Sequence, residues 1–228
     1  GLTEQADIQA VKISSGNGSS QFTVRSGGKE LGQIRLNRPG KHLVYNSLAA
    51  VCVGLELEID FPVIAKALEG FQGVQRRLQV KGEVNDILVI DDYGHHPTEI
   101  RATLDAIREG WPDRRVVVAF QPHRYSRTQG LFHEFTTAFR RADVLILSDI
   151  YPAGEKPIKG VSSEALLEAI RQHGQRQTQC IAQLVQQPQA LLPLLQPGDL
   201  LLTLGAGNIV RVGEQVLDLL RQSEEAQS

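Results

Sequence analysis

Polar and apolar residues alternate along the first part of the chain with the two-residue period of β-strands. Three such stretches cover residues 8–13, 22–24 and 31–36, and the turn sequence SGNG at 15–18 lies between the first two. Short strands separated by turns of this composition usually pair with their neighbours in the antiparallel sense. We therefore predict a small antiparallel meander at the start of the chain.

Apolar residues three or four apart predict two helices in the next part of the chain. The first covers 40–57, and its apolar face consists of Val44, Leu48, Val51 and Leu55. The second begins after Asp60, a good N-cap residue, and ends at Gly70.

From residue 81 onward, short apolar runs alternate with helical patterns. The runs predict strands over residues 87–90, 116–120, 144–147, 180–184 and 200–204. The helices between and after them are predicted over residues 97–110, 131–139, 162–174, 191–195 and 212–220. This alternation is typical of an α/β fold with a doubly wound, Rossmann-like, mainly parallel sheet flanked by helices. The change of pattern falls within 77–83 and predicts domains over 1–80 and 81–228.

The composition is that of an ordinary globular protein, with 41% hydrophobic and 22% charged residues. The formal net charge of −2 argues against a general nucleic-acid or anionic-membrane binder, and no apolar run approaches membrane-spanning length. Two cysteines, Cys52 and Cys180, lie far apart in apolar segments and indicate a reducing compartment. The chain starts at Gly1 and contains no methionine, so we expect it to be a piece of a longer protein.

The polar chemistry is concentrated in loops that follow the predicted strands. The sequence DDYGHHP at 91–97 places two carboxylates, a phenol and two imidazoles between a strand and a helix. Other polar loops follow strands at 121–128, 148–155 and 205–208. Because the carboxyl ends of parallel strands lie at one edge of a sheet, we expect these loops to share one crevice. The simpler interpretation, that Asp and His are good turn residues, accounts poorly for so many in one turn.

The loop at 121–128 carries three basic side chains, His123, Arg124 and Arg127. Their forked and cationic groups suit a bound carboxylate or phosphate. A structural alternative is that they pair with Asp149 or Glu155 across the sheet edge. Either interpretation supplies the anion that three neighbouring basic groups require.

Other candidate motifs are weaker. His42 and Asn46 are four residues apart on the polar face of the first helix and could contact one ligand, although two solvated side chains are the simpler interpretation. The pair Arg76 and Arg77 follows a glycine turn and could hold a phosphate or form a solvated edge. The sequence GAG at 205–207 lacks the third glycine of a dinucleotide fingerprint and favours a tight turn instead. No Gly-Lys-Ser/Thr phosphate loop and no zinc-ligand spacing occurs in the chain.

Two long motifs, DDYGHHPTEI at 91–100 and FQPHRYSRT at 120–128, closely resemble those of the Mur ligases, which add amino acids to the peptidoglycan precursor. The sequences GKH…NSLAA at 40–50 and GVQRRL at 73–78 are similar to the adenine and phosphate segments of that family, although Leu43 replaces its usual asparagine. The likeness extends over nearly the whole chain. It implies that 1–80 is the end of the central ATP-binding domain and that 81–228 is the C-terminal domain.

The resemblance also implies a reaction, the ATP-dependent ligation of L-alanine to UDP-N-acetylmuramate through an acyl phosphate in the bacterial cytoplasm. ATP and Mg²⁺ would be the cofactors, with the phosphate loop and the main metal ligands upstream, and neither nucleic acid nor membrane would be a partner. The residues implied to contact ATP are His42, Asn46, Arg77, Asp92 and Tyr93. The residues implied to bind substrate are His95, His123, Arg124 and Arg127, and those implied in catalysis are Arg77, His95 and His123.

Two alternatives remain open on the sequence alone. A sibling enzyme of the same family attaches a murein tripeptide to the same nucleotide sugar, but the motif variants Tyr93 and Glu99 favour the alanine-adding reaction. The chain could also be a non-catalytic nucleotide-binding module, which the missing phosphate loop would explain. In either case we expect this chain alone neither to ligate nor appreciably to hydrolyse ATP.

Overall fold

A computed structural model describes residues 1–175 and 177–225 of the chain. The chain forms two compact units. The first consists of Gly1–Gly73 and Asp105–Pro112, and the second consists of Val74–Leu104 and the chain from Asp113 onward. Among the described residues, no helix combines the length and the apolar character that crossing a membrane requires.

The first unit contains a three-stranded antiparallel sheet in the order β1-β2-β3, followed by two helices. These elements are β1 (Ile8–Gly16), β2 (Ser19–Ser26), β3 (Lys29–Leu36), α1 (Lys41–Glu56) and α2 (Phe61–Gly70). The core of the unit combines sheet residues such as Phe22 and Ile34 with Val44, Leu48 and Val51 of α1. The predicted meander and both helices are therefore confirmed. Asp60 does precede α2, but its side chain makes no capping hydrogen bond.

The second unit contains a six-stranded sheet in the order β4-β5-β9-β6-β7-β8, in which only β4 is antiparallel to its neighbour. Its strands are β4 (Gln79–Val84), β5 (Ile87–Asp92), β6 (Arg115–Phe120), β7 (Val144–Leu147), β8 (Thr178–Cys180) and β9 (Asp199–Leu204). Its helices are α3 (Pro97–Gly110), α4 (Tyr125–Gly130), α5 (Phe132–Phe135), α6 (Ser163–Gln172), α7 (Gln187–Leu191) and α8 (Val210–Glu225), and the last residues of α3 belong to the first unit. The predicted α/β fold with a mainly parallel sheet flanked by helices is confirmed.

Local signals predicted several helix ends correctly. Helix α3 begins at Pro97 and ends at Gly110, as predicted. Helix α6 is preceded by Ser162, whose side chain accepts a hydrogen bond from the backbone N–H of Ala165 at 3.2 Å. The weak helix predicted near 191–195 begins earlier, as α7, and continues as a short 3-10 helix over Leu192–Leu194. The α-helix ends at Leu191 because Pro193 has no N–H to continue it.

The prediction of one helix over 131–139 is wrong. The chain instead forms α4, which begins inside the expected loop, and the single-turn helix α5, which ends at Phe135. The backbone of Leu131 departs from helical geometry between them, with φ −115° and ψ 21°. Phe135 and Phe139 are nevertheless buried, and their rings lie 5.9 and 5.0 Å from that of Phe120. The apolar pattern therefore predicted correctly which residues are buried, but it did not indicate one continuous helix.

Candidate functional site

Four parallel strands of the second unit end in line with one another. Asp92 of β5 is in register with Leu204 of β9, Leu204 with Phe120 of β6, and Phe120 with Leu147 of β7. Backbone hydrogen bonds continue past the strand ends, from Gly205 N–H to Asp92 O at 3.1 Å and from Ser148 N–H to Phe120 O at 3.0 Å. The four polar loops therefore start at the same edge of the sheet, as the sequence predicted.

Asp91 and Asp92 are the last residues of β5 rather than part of the turn, and both are buried. Asp92 accepts hydrogen bonds from Leu78 N–H at 2.8 Å, Gly94 N–H at 2.7 Å and Thr103 Oγ1 at 3.2 Å. Burial raises the pKa of Asp92, and the hydrogen bonds from Leu78 and Gly94 oppose that shift. Both carboxylates therefore organise the strand end, since each one gathers donors from the surrounding backbone and side chains.

The turn after β5 is held by Glu99, the third residue of α3. Its carboxylate accepts the backbone N–H groups of His95 at 3.0 Å and His96 at 3.1 Å, as in one half of a capping box. Burial alone would raise the pKa of Glu99, but these two hydrogen bonds and the charges of His95 and Arg77 outweigh it and lower the pKa. The imidazole of His95 is thereby fixed close to the ring of Tyr93, at 5.4 Å between centroids.

The loop after β6 presents His123 beside that turn. Its ring lies 6.0 Å from the ring of His95 and stacks on Tyr151 at 5.3 Å with an interplanar angle of 14°. Arg127 Nη1 lies 3.1 Å from His123 Nδ1 and donates to the His123 carbonyl at 3.1 Å. Because a guanidinium can only donate, Nδ1 must accept, and the proton of the neutral ring is on Nε2.

The alternative in which Arg127 pairs with Asp149 or Glu155 is not what the structure shows. Glu155 accepts hydrogen bonds from Ser126, at 2.9 Å from the backbone N–H and 2.6 Å from Oγ, and these bonds lower its pKa. No ion pair within the described part of the chain joins Arg127 to either acid. The sequence analysis did not identify His123 as the partner of Arg127, although their four-residue spacing was a usable signal.

Burial lowers the pKa of His123, and the neighbouring charges of Arg127, His95 and Arg124 lower it further, against a smaller opposing effect of Glu155. His123 is therefore neutral at pH 7. In the interval between its lowered pKa and about 6.5, the unfolded chain binds more protons at this residue, so its contribution makes the protein more stable as pH rises.

We expect the His123 imidazole of this chain to titrate below pH 6.5, the ordinary value, and Arg127→Gln to raise its pKa. Imidazole chemical shifts followed by NMR against pH measure both quantities directly. A His123 pKa that does not move in Arg127→Gln would contradict the contact.

The remaining predicted site residues lie in different places. Arg77 is about half exposed, with 48% of its side chain accessible, and its Nη1 is 3.7 Å from Glu99 Oε1. Arg124 is exposed. His42 and Asn46 lie on α1 of the first unit, where His42 is partly buried and Asn46 is exposed. The second unit therefore gathers every other predicted site residue near one sheet edge.

Two residues of this edge were not singled out by the sequence. Arg76, treated only as one member of a pair, spans three segments with its guanidinium. Gln121 is buried, donates to Asn208 Oδ1 at 3.1 Å, and lies so close to Gly207 that a Cβ there would collide with its amide. Gly205 has a φ of +142° and equally little space, which confirms the tight turn predicted for GAG.

Comparison with known proteins gives consistent matches. The model of the family "Mur ligase, glutamate ligase domain" matches residues 76–207. The UDP-N-acetylmuramate–L-alanine ligase of Desulfotalea psychrophila is 58% identical over 222 residues, which are 97% of this chain and 48% of that protein. The ligase of the same name from Geobacter sulfurreducens is 54% identical over 226 residues, or 99% of this chain and 49% of that protein. The chain therefore spans about half the length of the curated relatives that it matches.

Solved structures give the same result at the level of the fold. The structure of a UDP-N-acetylmuramate–alanine ligase from Thermotoga maritima matches with a TM-score of 0.83 and 25% identity, covering 97% of this chain and 47% of that one. A murein peptide ligase from Psychrobacter arcticus matches with a TM-score of 0.63 and 24% identity over 95% of this chain and 44% of that one. The first match is closer in backbone geometry than the second.

Proposed function

Since the chain belongs to the Mur ligase family, we propose that it forms the C-terminal half of an ATP-dependent ligase that joins L-alanine to UDP-N-acetylmuramate. The observation that supports this most strongly is identity above half, along nearly the whole chain, to two curated ligases of that name. In this proposal residues 1–80 end the central ATP-binding domain and 81–228 form the C-terminal domain. The reaction takes place in the bacterial cytoplasm, where ATP is available.

The site residues divide between nucleotide and substrate in this proposal. His42 and Asn46 contact the adenine, and Tyr93 lines the nucleotide side of the site. The half-exposed guanidinium of Arg77 binds the phosphates. Asp92 contacts the ribose hydroxyls with the lone pairs that its three present hydrogen bonds leave available.

The basic loop binds the carboxylates of the substrates. Arg124 and Arg127 hold either the alanine or the muramyl carboxylate, and His95 lines the same part of the site. Neutral His123 donates its Nε2–H to an oxygen that gains negative charge as the bonds rearrange, because its Nδ1 is already occupied by Arg127. The side chains of this chain thus position oxygens and stabilise charge, and none of them needs to form a covalent bond.

The reaction proceeds in two displacements. A muramyl carboxylate oxygen attacks the γ-phosphorus of ATP and releases ADP, and the alanine amine then displaces phosphate from the acyl phosphate. Mg²⁺ supplies charge neutralisation for the first displacement. Within residues 1–175 and 177–225, no group of three or more His, Cys, Asp or Glu side chains could hold a metal ion. In this proposal, as the family resemblance implies, the main magnesium ligands lie in the upstream half of the ligase.

The proposal predicts that the chain becomes active when it is joined to the half it lacks. We expect no measurable phosphate release from the chain alone, because it has no phosphate loop. The test uses a hybrid ligase, defined as the Desulfotalea psychrophila ligase in which the 222 matching residues are replaced by this chain. Its phosphate release from ATP should require both UDP-N-acetylmuramate and L-alanine.

Two results of that assay would contradict the proposal. A folded hybrid ligase that releases phosphate at the same rate without alanine would argue against amino-acid ligation. Steady ATP turnover by the chain alone would show that the missing half is not needed.

A further inference from the structure

Arg76 does not face solvent as a phosphate ligand would, because each nitrogen of its guanidinium already donates within the second unit. Nε donates to Asp91 Oδ2 at 3.0 Å, Nη1 to the Gly207 carbonyl at 3.1 Å and Nη2 to the Gly205 carbonyl at 2.6 Å. The guanidinium carbon also lies 5.0 Å from the centre of the Tyr93 ring. Only 23% of the side chain is exposed. Arg76 therefore joins the segment before β4 to the ends of both β5 and β9.

The acid that holds Arg76 is fully buried. Asp91 is 0% exposed, and its second oxygen, Oδ1, accepts a hydrogen bond from Thr203 Oγ1 at 2.7 Å. A buried carboxylate without a neighbouring cation would be strongly unfavourable, so Asp91 requires a positively charged side chain beside it. The ion pair between Arg76 and Asp91 therefore has one well-defined geometry, whereas an exposed pair could adopt several.

The backbone on both sides of Arg77 is in the left-handed region. Arg76 has a φ of +58° and Leu78 a φ of +44°, values that residues other than glycine seldom adopt. Such backbone persists only where surrounding contacts hold it. Here the Arg76 carbonyl accepts Tyr93 N–H at 2.7 Å, and Leu78 N–H donates to Asp92 Oδ2 at 2.8 Å.

Arg77 is thus the middle residue of a short arch, formed by Arg76, Arg77 and Leu78, whose two ends are tied to the adjacent acids of β5. The side chain of Arg76 secures one end through Asp91, and the backbone of Leu78 secures the other through Asp92. The middle side chain is left half exposed beside Tyr93, with 5.6 Å between its guanidinium carbon and the ring centre. A rotation of the arch at either end would redirect Arg77.

We propose that Arg76, held by buried Asp91, is a positioning residue that orients the arch so that Arg77 faces the transferred phosphate, and that it also fixes the Gly205–Gly207 turn beside it. This inference rests on the proposed function, since it assigns Arg76 a part in the phosphate-binding side of that site. Arg76 itself touches no substrate. Its contribution is the direction in which Arg77 points.

The test compares Arg76→Lys with a matched control, Arg114→Lys, in the hybrid ligase. Arg76→Lys keeps the charge next to Asp91 but loses the two donors to the glycine carbonyls. We expect kcat to fall about tenfold and KM for ATP to rise, while KM for alanine stays within about twofold of the parent. Arg76→Gln should have a larger effect of the same kind.

Arg114→Lys is the matched control. Arg114 belongs to the same unit, its side chain is 20% exposed, and its guanidinium donates to Glu83 at 2.6 Å and to Asp86 at 3.0 Å beside the opposite ends of the strands. We expect Arg114→Lys to lower the thermal midpoint as much as Arg76→Lys does but to leave kcat and both KM values unchanged. Guanidinium ion added to Arg76→Gln should restore part of the lost kcat and none of any loss in Arg114→Gln.

The outcomes separate this inference from the proposed function. If the parent hybrid ligase shows alanine-dependent phosphate release and Arg76→Lys keeps its kcat and KM for ATP per folded molecule, the positioning role is wrong and the proposed function stands. A loss that follows stability alone, equal in Arg76→Lys and Arg114→Lys, would overturn the inference in the same way. An inactive parent hybrid would instead contradict the proposed function. Folded fractions are measured by circular dichroism, so a destabilised variant still gives a result.

Discussion

Replacing Arg127 by alanine in the hybrid ligase is expected to lower kcat/KM for alanine about ten- to a hundred-fold. An arginine that binds a carboxylate in a partly dry site contributes roughly 1.5–3 kcal/mol, which corresponds to that loss. The side chain is partly buried and already points at the His123 ring, so little entropy is lost when an anion arrives. Its removal also frees the His123 ring to rotate, so the Nε2–H donor that we propose is no longer held in position.

Arg127→Ala should leave the thermal midpoint nearly unchanged, because the contacts that Arg127 loses are to a neutral ring and one carbonyl. Arg127→Lys should restore activity only in part, since an ammonium keeps the charge without the planar fork. Arg140→Ala, at an exposed arginine of the same unit, is the control and should change neither value. If Arg127→Ala lowers the melting temperature by several degrees while its kcat/KM stays within about twofold of the parent, Arg127 has a structural role and does not bind substrate.

The largest effect on folding is expected from Asp199→Ala, which should lower the free energy of unfolding of this chain by about 3 kcal/mol. Asp199 is 0% exposed at the start of β9 and receives both Nε of Arg115 at 2.9 Å and Nη2 at 2.8 Å. It also accepts Gln196 N–H at 2.9 Å. The hydrogen bonds to Asp199 raise the pKa of Arg115. Loss of the Asp199 carboxylate leaves Arg115 Nε and Gln196 N–H without this acceptor, whereas Arg115 Nη2 keeps its hydrogen bond to the Leu194 carbonyl at 2.6 Å.

Urea denaturation followed by circular dichroism measures this change. Asp218→Ala is the matched control, because Asp218 pairs with Arg221 at 3.0 Å on the surface with 65% of its side chain exposed. Such exposed pairs contribute about 0–1 kcal/mol. If Asp199→Ala and Asp218→Ala destabilise the chain equally, the buried pair does not have the role assigned to it.

Local and periodic signals explain what could be predicted of the fold. Pro97 and Gly110 delimit α3 because proline favours the first turn of a helix and glycine ends one. The continuous apolar runs of β5 and β9 predicted buried parallel strands, since such strands are covered on both faces. The helix expected over 131–139 failed because an apolar spacing of three and four measures which residues are buried, and single turns can bury them equally well.

The site was predictable in its place but not in its internal contacts. Parallel strands bring their carboxyl ends to one edge, which sufficed to gather the four polar loops. Nothing local indicates that the Asp91 carboxylate turns inward to Arg76 and Thr203, or that Arg76 reaches carbonyls about 130 residues away along the chain. Such partners depend on strand order, and strand order depends on contacts between residues distant in sequence.

We propose that this chain completes a ligase for L-alanine and UDP-N-acetylmuramate. The most direct measurement is mass spectrometry of the product formed by the hybrid ligase with ATP, UDP-N-acetylmuramate and equal concentrations of L-alanine and the murein tripeptide. We expect UDP-N-acetylmuramoyl-L-alanine as the main product, formed in equal amount with ADP. The nucleotide-linked tripeptide as main product, or ADP without either conjugate, would contradict the claim.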